Sequence, residues 1–209
     1  MKWSDRYPCI YDKILNTSFD RHYVYHSAWA SRILQDTKPN LHVDISSSLY
    51  FIAICSGFIP IEFYDYRPAN LILKNLSCKS ADVTKLHFKD NSIKSLSCMH
   101  VIEHIGLGRY GDKLDCNGDL KAINELKRVL ALNGDLLIVV PIGKAKIMFN
   151  AHRIYSYRQI LDYFKELTLV QFSLIPDDEK LGIIYNPTED ICNAQNYACG
   201  CFWFKKQNI

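Results

Sequence analysis

Between Asp82 and Asp112 the chain reads DVTKLHFKDNSIKSLSCMHVIEHIGLGRYGD. An acidic residue opens this stretch. An apolar run then ends at Cys98, Met99 and His100, and a polar loop carries Glu103, His104, Arg109, Tyr110 and Asp112 within ten positions. A histidine among carboxylates can take up and return a proton near neutral pH, and an arginine can grip a carboxylate or phosphate. A second group follows in FNAHRIYS, where His152, Arg153 and Tyr155 come soon after another apolar run. His104 is the first candidate base, since it follows the strand directly and has Glu103 beside it, and His152 is the second. Asp112 converges with them from the loop. Arg109 and Arg153 are candidates for gripping a charged substrate. Tyr110, Tyr155 and Tyr157 could form a stacking wall for a sugar.

Each of these residues also has an ordinary structural use. A single histidine is more often a satisfied packing residue than a base, arginines pair on surfaces, and tyrosines pack loops. His104, Asp112 and His152 could in principle hold a divalent ion, but no spacing supports it. His22 and His26 stand four apart on a helix, with no third ligand near them in the sequence, so no metal is expected. The eight cysteines include no CxxC pair, which disfavours a zinc knuckle. They read as reduced, small apolar residues of a cytoplasmic protein. Cys199 and Cys201 would share one face of a strand.

The 209 residues suit one domain, read as a helical extension or lid over 1–39 and a core over 40–209. An apolar share of 48% argues against overall disorder. The formal charge of +3, with no run of Lys and Arg, gives no phosphate track, so no nucleic-acid partner is expected. The N-terminus lacks the apolar core of a signal peptide. The longest apolar run, LYFIAICSGFIPI, is broken by Gly57 and Pro60 and is too short to span a bilayer. A homodimer is left open.

The elements that must position these residues alternate. Residues 21–35 repeat apolar positions at helical spacing, and 41–45 read as a short buried strand. The turn SSS (46–48) leads to an apolar helix from 49 to about 56. Backbone amides of such a turn and the helix start favour an anionic or electron-rich group. IEFYDY (61–66) is a second strand. Its Asp65 follows Asp44 by 21 residues, the interval at which a carboxylate grips ribose hydroxyls in βαβ nucleotide folds. Residues 69–80 read as a short amphipathic piece. Asp119 should cap a helix over DLKAINELKRVLAL. DLLIVVP (135–141) is an apolar run of central-strand type, IGKAKIMFNAHRIYS a loop, 157–164 a helix, 167–175 a strand, 176–196 irregular, and YACGCFWF the last strand. The expected fold is α/β, a Rossmann-like doubly wound and mostly parallel sheet of about seven strands, whose closing strands could run antiparallel.

In that order the elements resemble a class I S-adenosylmethionine (SAM)-dependent methyltransferase. DVTKLHFKDNSIKSLSCMHVIEHI is similar to that family's acidic residue, "LPF-D-S-D" segment, fourth strand and "EH" ending. ELKRVLALNGDLLIVVP resembles its "E-RVL-PGG-L" element, and AHRIYSYRQILDYF its "H-R-YS" element. More narrowly, HVDISSSLYF, FYDYRP, SCMHVIEHIGLGRYGD and FNAHRIYS resemble a small bacterial group of uncharacterised methyltransferase-like proteins, the DUF268 type, often associated with surface-polysaccharide loci. The resemblance implies SAM as cofactor. It places Asp44, Ser46 and Ser47 at the amino-acid end of SAM, Asp65 at the ribose, Asp82 and the backbone of Val83 at the adenine, and Met99 and His100 beside the sulfonium. The family's "D-G-G-G" turn is here D-I-S-S-S.

The expected function is therefore SAM-dependent O-methylation of a sugar, a nucleotide-sugar or a surface-glycan precursor, with Glu103, Arg109, Tyr110, Arg153 and Tyr155 contacting a small-molecule or glycan substrate. The glycine-free turn motivates a second expectation, an inactive methyltransferase-fold subunit that binds a partner. RNA methylation is disfavoured by the weak net charge.

Overall fold

The computed structural model describes residues 2–207. Strands β1 (His42–Ile45), β2 (Ile61–Asp65), β3 (Leu76–Ser80), β4 (Ile93–Met99) and β5 (Leu130–Ile142) form the parallel part of the main sheet. A separate antiparallel hairpin pairs β6 (Lys146–Met148) with β7 (His152–Ile154). Strands β8 (Thr168–Ile175), β9 (Ile184–Tyr185) and β10 (Ala198–Lys205) complete the main sheet, in the order β3-β2-β1-β4-β5-β10-β8-β9. β10 runs antiparallel to both β5 and β8. Strand order reverses between β1 and β4, and in such sheets a ligand sits beyond the carboxyl ends at that point.

Helices α1 (Arg21–Thr37) and α2 (Leu49–Cys55) cover one face of the sheet, and α3 (Gly118–Val129) and α4 (Tyr157–Tyr163) cover the other. A fifth helix, α5 (Glu189–Asn193), precedes β10. The alternation along β5 shows the layering: Leu136, Ile138 and Val140 pack with α3 and α4, while Leu137 and Val139 pack with α1 and α2. In α1, His26, Trp29, Ala30, Ile33 and Leu34 are buried, which is one stripe at helical spacing. The Asp20 carboxylate accepts a hydrogen bond from the Tyr23 amide at 3.1 Å and starts that helix. It ends at Lys38, whose left-handed backbone directs its amide to the Leu34 carbonyl, just before Pro39.

The expected α/β architecture is borne out, with several corrections of detail. The main sheet has eight strands, against about seven expected. Residues 76–80 form edge strand β3. Only Leu76 of that strand is buried, so its sequence carries no apolar alternation. The expected loop after β5 contains the β6–β7 hairpin. Asp119 is not a helix cap: it lies in the first turn of α3, buried against Tyr155 and Arg153. α1 is a full layer of the packing, whereas residues 2–20 are exposed and hold only the 3-10 turn Trp3–Asp5. Among the described residues no helix is long and apolar enough to cross a membrane, and all eight cysteines are free thiols.

The antiparallel end of the sheet is held by a buried ring cluster. Phe202 lies 4.6 Å from Phe172 and 5.8 Å from Phe204 between ring centroids. Phe202→Ala is expected to cost roughly 3–5 kcal/mol, because the surrounding rings cannot fully collapse into the space. Urea unfolding checks this, and a loss under about 1 kcal/mol would contradict it.

Candidate active site

A concavity of about 570 Å³ opens beyond the carboxyl ends of β1, β2 and β4, and the loop from Ile105 to Gly118 forms its far side. That volume falls within the range of roughly 300–1,000 Å³ typical of small-molecule sites. Its floor is shaped by two non-glycine residues in the left-handed region, Ser46 and His100, each with φ of 58°. They follow β1 and β4 directly and turn the chain out of the sheet. The Ser46 amide and hydroxyl both donate to the Tyr64 carbonyl, at 2.8 and 3.2 Å.

Beneath the floor lies a buried polar chain joining β1 to β4. The Ser97 hydroxyl donates to Asp44 Oδ2. Having given its proton away, Ser97 accepts from His42 Nε2 at 2.8 Å, so His42 Nδ1 accepts from the Ser95 hydroxyl, also at 2.8 Å. The Ser47 amide donates to Asp44 Oδ1 at 2.9 Å, and the Ser47 hydroxyl accepts from the Met99 amide at 3.0 Å. Burial pushes the Asp44 carboxyl up to about 6, against the pull of its bonds to Ser97 and Ser47. Burial also pushes His42 down to about 3. Asp44, Ser47 and Met99, expected at the amino-acid and sulfonium end of the cofactor, are buried beneath the cavity, where they tie β1 to β4.

Ser46, Asp65, Asp82, Val83 and His100 do line the cavity. Asp65 is the last residue of β2, and one of its oxygens accepts from the Arg67 amide at 2.7 Å. Asp82 turns back on Thr84, accepting from its amide at 2.8 Å and its hydroxyl at 2.7 Å. The cavity wall also includes Tyr23, Arg67, Thr84, Lys113 and Lys121, which residue types and spacing alone did not single out. The Asp-x-Thr turn was the one local signal available for Thr84.

The histidine loop separates the candidates sharply. His104 lies on the wall. Its Nδ1 donates to the Ala151 carbonyl at 2.6 Å, which leaves Nε2 with a free lone pair, 3.8 Å from Glu103 Oε1. Arg109 donates to the same carbonyl at 3.0 Å. Tyr110 lies 5.1 Å from both the Arg67 and Arg109 guanidiniums. Glu103 is buried rather than substrate-facing: it accepts from His100 Nδ1 at 2.8 Å, and its Oε2 has no partner among the described residues.

Asp112 is a loop tie, accepting from the amides of Gly106, Gly108 and Tyr110. Burial pushes its carboxyl up, but those amides outweigh it and hold it below the ordinary carboxylate value. Arg153 is buried and bonds the Ile105 carbonyl at 2.7 Å, and Tyr155 donates to Asp119 at 3.0 Å, so both fasten the loop from behind. His152 is off the wall, its ring 6.3 Å from that of His104 and 5.0 Å from Tyr197. Burial and then His104 lower its pKa. Tyr157 packs into the ring cluster of Phe172 and Phe202.

The parallel strands, the reversed last strand and a cavity at the switch point define the Rossmann-like methyltransferase fold. Solved structures share it. A chain from the complex between the Haloferax volcanii Trm112 methyltransferase activator and a methyltransferase is 16% identical, with 91% of each chain covered and a TM-score of 0.61. The N-methyltransferase NodS of Bradyrhizobium japonicum WM9, solved with S-adenosylhomocysteine, is 12% identical over 88% of this chain and 86% of its own, with a TM-score of 0.61. The 1,6-didemethyltoxoflavin-N1-methyltransferase of Burkholderia thailandensis, also solved with S-adenosylhomocysteine, is 11% identical over 88% and 79%, with a TM-score of 0.60. At such identities the likeness establishes the fold alone. Residues 74–171 match the family described as Caenorhabditis protein of unknown function, DUF268, the family that the sequence strings resemble. No curated protein matches the chain by sequence. The Caenorhabditis description does not support a bacterial group or a surface-polysaccharide role.

Two predictions follow from this geometry. Gly106 has φ of 80°, and a Cβ there would overlap the Asp115 carbonyl, whereas Gly111, with φ of 84°, faces open space. Gly106→Ala should destabilise by at least about 2 kcal/mol and Gly111→Ala by roughly 1 kcal/mol, read from urea midpoints. Stability should also fall on acidification. His42 stays neutral in the fold to about pH 3, so below the ordinary value of 6.5 the unfolded chain takes up a proton that the folded chain refuses. His22, lowered to about 4, and His26 add to this. Asp44 acts oppositely, its stabilising effect lying at low pH and fading as pH rises toward 6, but it is a single group. His42 alone should remove about 2 kcal/mol or more between pH 7 and 4.5. Urea midpoints that stay flat over that range would contradict it.

Proposed function

We propose that the chain transfers the methyl group of SAM to a hydroxyl of a small polar acceptor, a sugar or nucleotide-sugar being the chemistry that suits the wall. The observation that carries this reading is His104, which lies on the wall of a cavity that also holds Asp65 and Asp82, its ring anchored through Nδ1 to the Ala151 carbonyl at 2.6 Å. The residues fit SAM. Ser46 already adopts the left-handed backbone that a glycine turn would supply, so the serine turn keeps the floor open. SAM, when bound, supplies an electrophilic methyl carbon.

The chain's own residues do the rest. Asp65 takes the ribose hydroxyls, Asp82 and the backbone of Val83 take the adenine edge, and Ser46 flanks the amino-acid end. The Ala151 carbonyl fixes the tautomer of His104, so Nε2 is the atom that accepts the acceptor hydroxyl's proton. Glu103, 3.8 Å away, stabilises the imidazolium that forms. Arg67, Lys113 and Lys121 give the wall a cationic side that suits a phosphate on the acceptor. Asp112, Arg153 and Tyr155 position the loop.

Calorimetry should find SAM and S-adenosylhomocysteine bound with micromolar affinity, about −8 kcal/mol. Asp65→Ala should weaken both at least tenfold. His104→Gln should leave binding intact and cut turnover by about 10²–10⁴. Turnover is scored as methyl ethers formed across a panel of sugars and nucleotide-sugars against amines. Methylation of amines alone would overturn the hydroxyl assignment. Absence of SAM binding by folded protein would overturn the enzymatic reading in favour of a methyltransferase-fold binding subunit.

A further inference from the structure

Beside the cavity, under the first turns of α1, is a cluster that the methyl-transfer reading does not use. His22 and His26 come from α1, His100 follows β4, and Cys199 and Cys201 lie near the start of β10. We propose that His22, His100 and Cys199 bind a transition-metal ion of the zinc type.

The ligand atoms of these three residues all lie within 4.8 Å of one another. His100 Nε2 and Cys199 Sγ are 3.5 Å apart. Two ligands of one tetrahedral zinc, at about 2.3 Å for sulfur and about 2.0–2.1 Å for nitrogen, would stand about 3.6 Å apart. The surroundings supply what such a site needs. His100 donates its Nδ1 proton to the buried Glu103 carboxylate at 2.8 Å, which leaves the Nε2 lone pair facing Cys199. That is the carboxylate–histidine–metal arrangement in which the outer group orients the ligand. Glu103 Oε2 has no partner among the described residues, and a buried polar atom left unpaired is costly.

The second observation is His26. It is fully buried, both ring nitrogens lack a partner among the described residues, and its ring meets that of His100 edge-on at 5.3 Å. Two unpaired buried ring nitrogens are costly. Three protein ligands leave a fourth position, and His26, packed against His100, is a buried donor close to the cluster. Cys201 Sγ, 3.9 Å from Cys199 Sγ, is a second nearby sulfur. A two-imidazole, one-thiolate set favours zinc-like ions over magnesium or calcium. Binding forms the metal–sulfur bond as the Cys199 thiol releases its proton to solvent. The site draws His100 into metal ligation, away from the sulfonium, and shares Glu103 with the methyl-transfer reading.

The test uses the full chain, stripped with a chelator and titrated with Co²⁺ and Zn²⁺. Wild type should bind one equivalent of Co²⁺, with the visible spectrum of a tetrahedral ion and a thiolate-to-cobalt charge-transfer band. Cys199→Ser should abolish that band. His22→Ala, at a partly buried position on α1, should weaken binding at least tenfold. Glu103→Gln should weaken it about 10–100-fold with the ligands unchanged. Cys192→Ser, in α5, should bind as wild type does. A folded wild type that binds neither ion, or a charge-transfer band that survives Cys199→Ser, would overturn the proposal and leave a purely aromatic packing cluster.

Discussion

The structure depends on the buried polar chain that runs from Ser95 through His42 and Ser97 to Asp44, and on through Ser47 to the Met99 amide. It spans the pair β1 and β4, the two strands at which the sheet reverses order. Their register sets Val43 against Leu96 and Asp44 against Ser97. A slip of one residue would carry Asp44 and His42 away from their partners and leave both orphaned inside the protein. Apolar side chains alone would tolerate such a slip better, since one β-branched contact resembles another. The hydrogen bonds therefore act chiefly on specificity, selecting one register among several that bury similar area.

That register decides where the cavity lies. Ser46 and His100 leave adjacent strands at the same level, and both take the left-handed backbone that costs a non-glycine residue about 1–2 kcal/mol. The cost is offset locally. Ser46 returns two hydrogen bonds to Tyr64, and the His100 ring is held between Glu103 and the rings of His22, Tyr23 and His26. Two strands that diverge at their ends leave the space a ligand would occupy. Strain in the chain and the opening of the site share one geometric origin.

The loop beyond β4 is fastened from behind by Arg153, Asp119 and Tyr155, and from within by Asp112. This leaves His104, Arg109 and Tyr110 at the front with side chains that face the cavity or its rim. The charged residues of the region thus divide into those that hold the loop and those that it presents. Gly106 and Gly118 pack backbone against backbone at its base, a closeness that any side chain would prevent.

Much of this was legible in the chain itself. The run Leu136–Val140 reads as a central strand because both faces are buried, so nothing polar interrupts it. The α1 stripe and the DISSS turn before α2 are local patterns with local causes, and Asp65 is found by its distance from Asp44. Edge strand β3 was not legible, because a strand with one buried residue carries no alternation. Nor could residue type separate the buried Glu103 from Asp65, or Arg153 from Arg109. A buried carboxylate and one that faces a cavity are alike in the sequence, and only packing shows which partners reach each one. His22 and His26 looked like a pair without a third ligand because Cys199 lies far along the chain, brought beside them only when β10 inserts next to β5. The sequence by itself determined the apolar central strands, the main helices and their order, since periodicity and turn chemistry act over a few residues. Tertiary structure alone decided which polar groups are buried and which are presented, because that depends on contacts between residues distant in the chain.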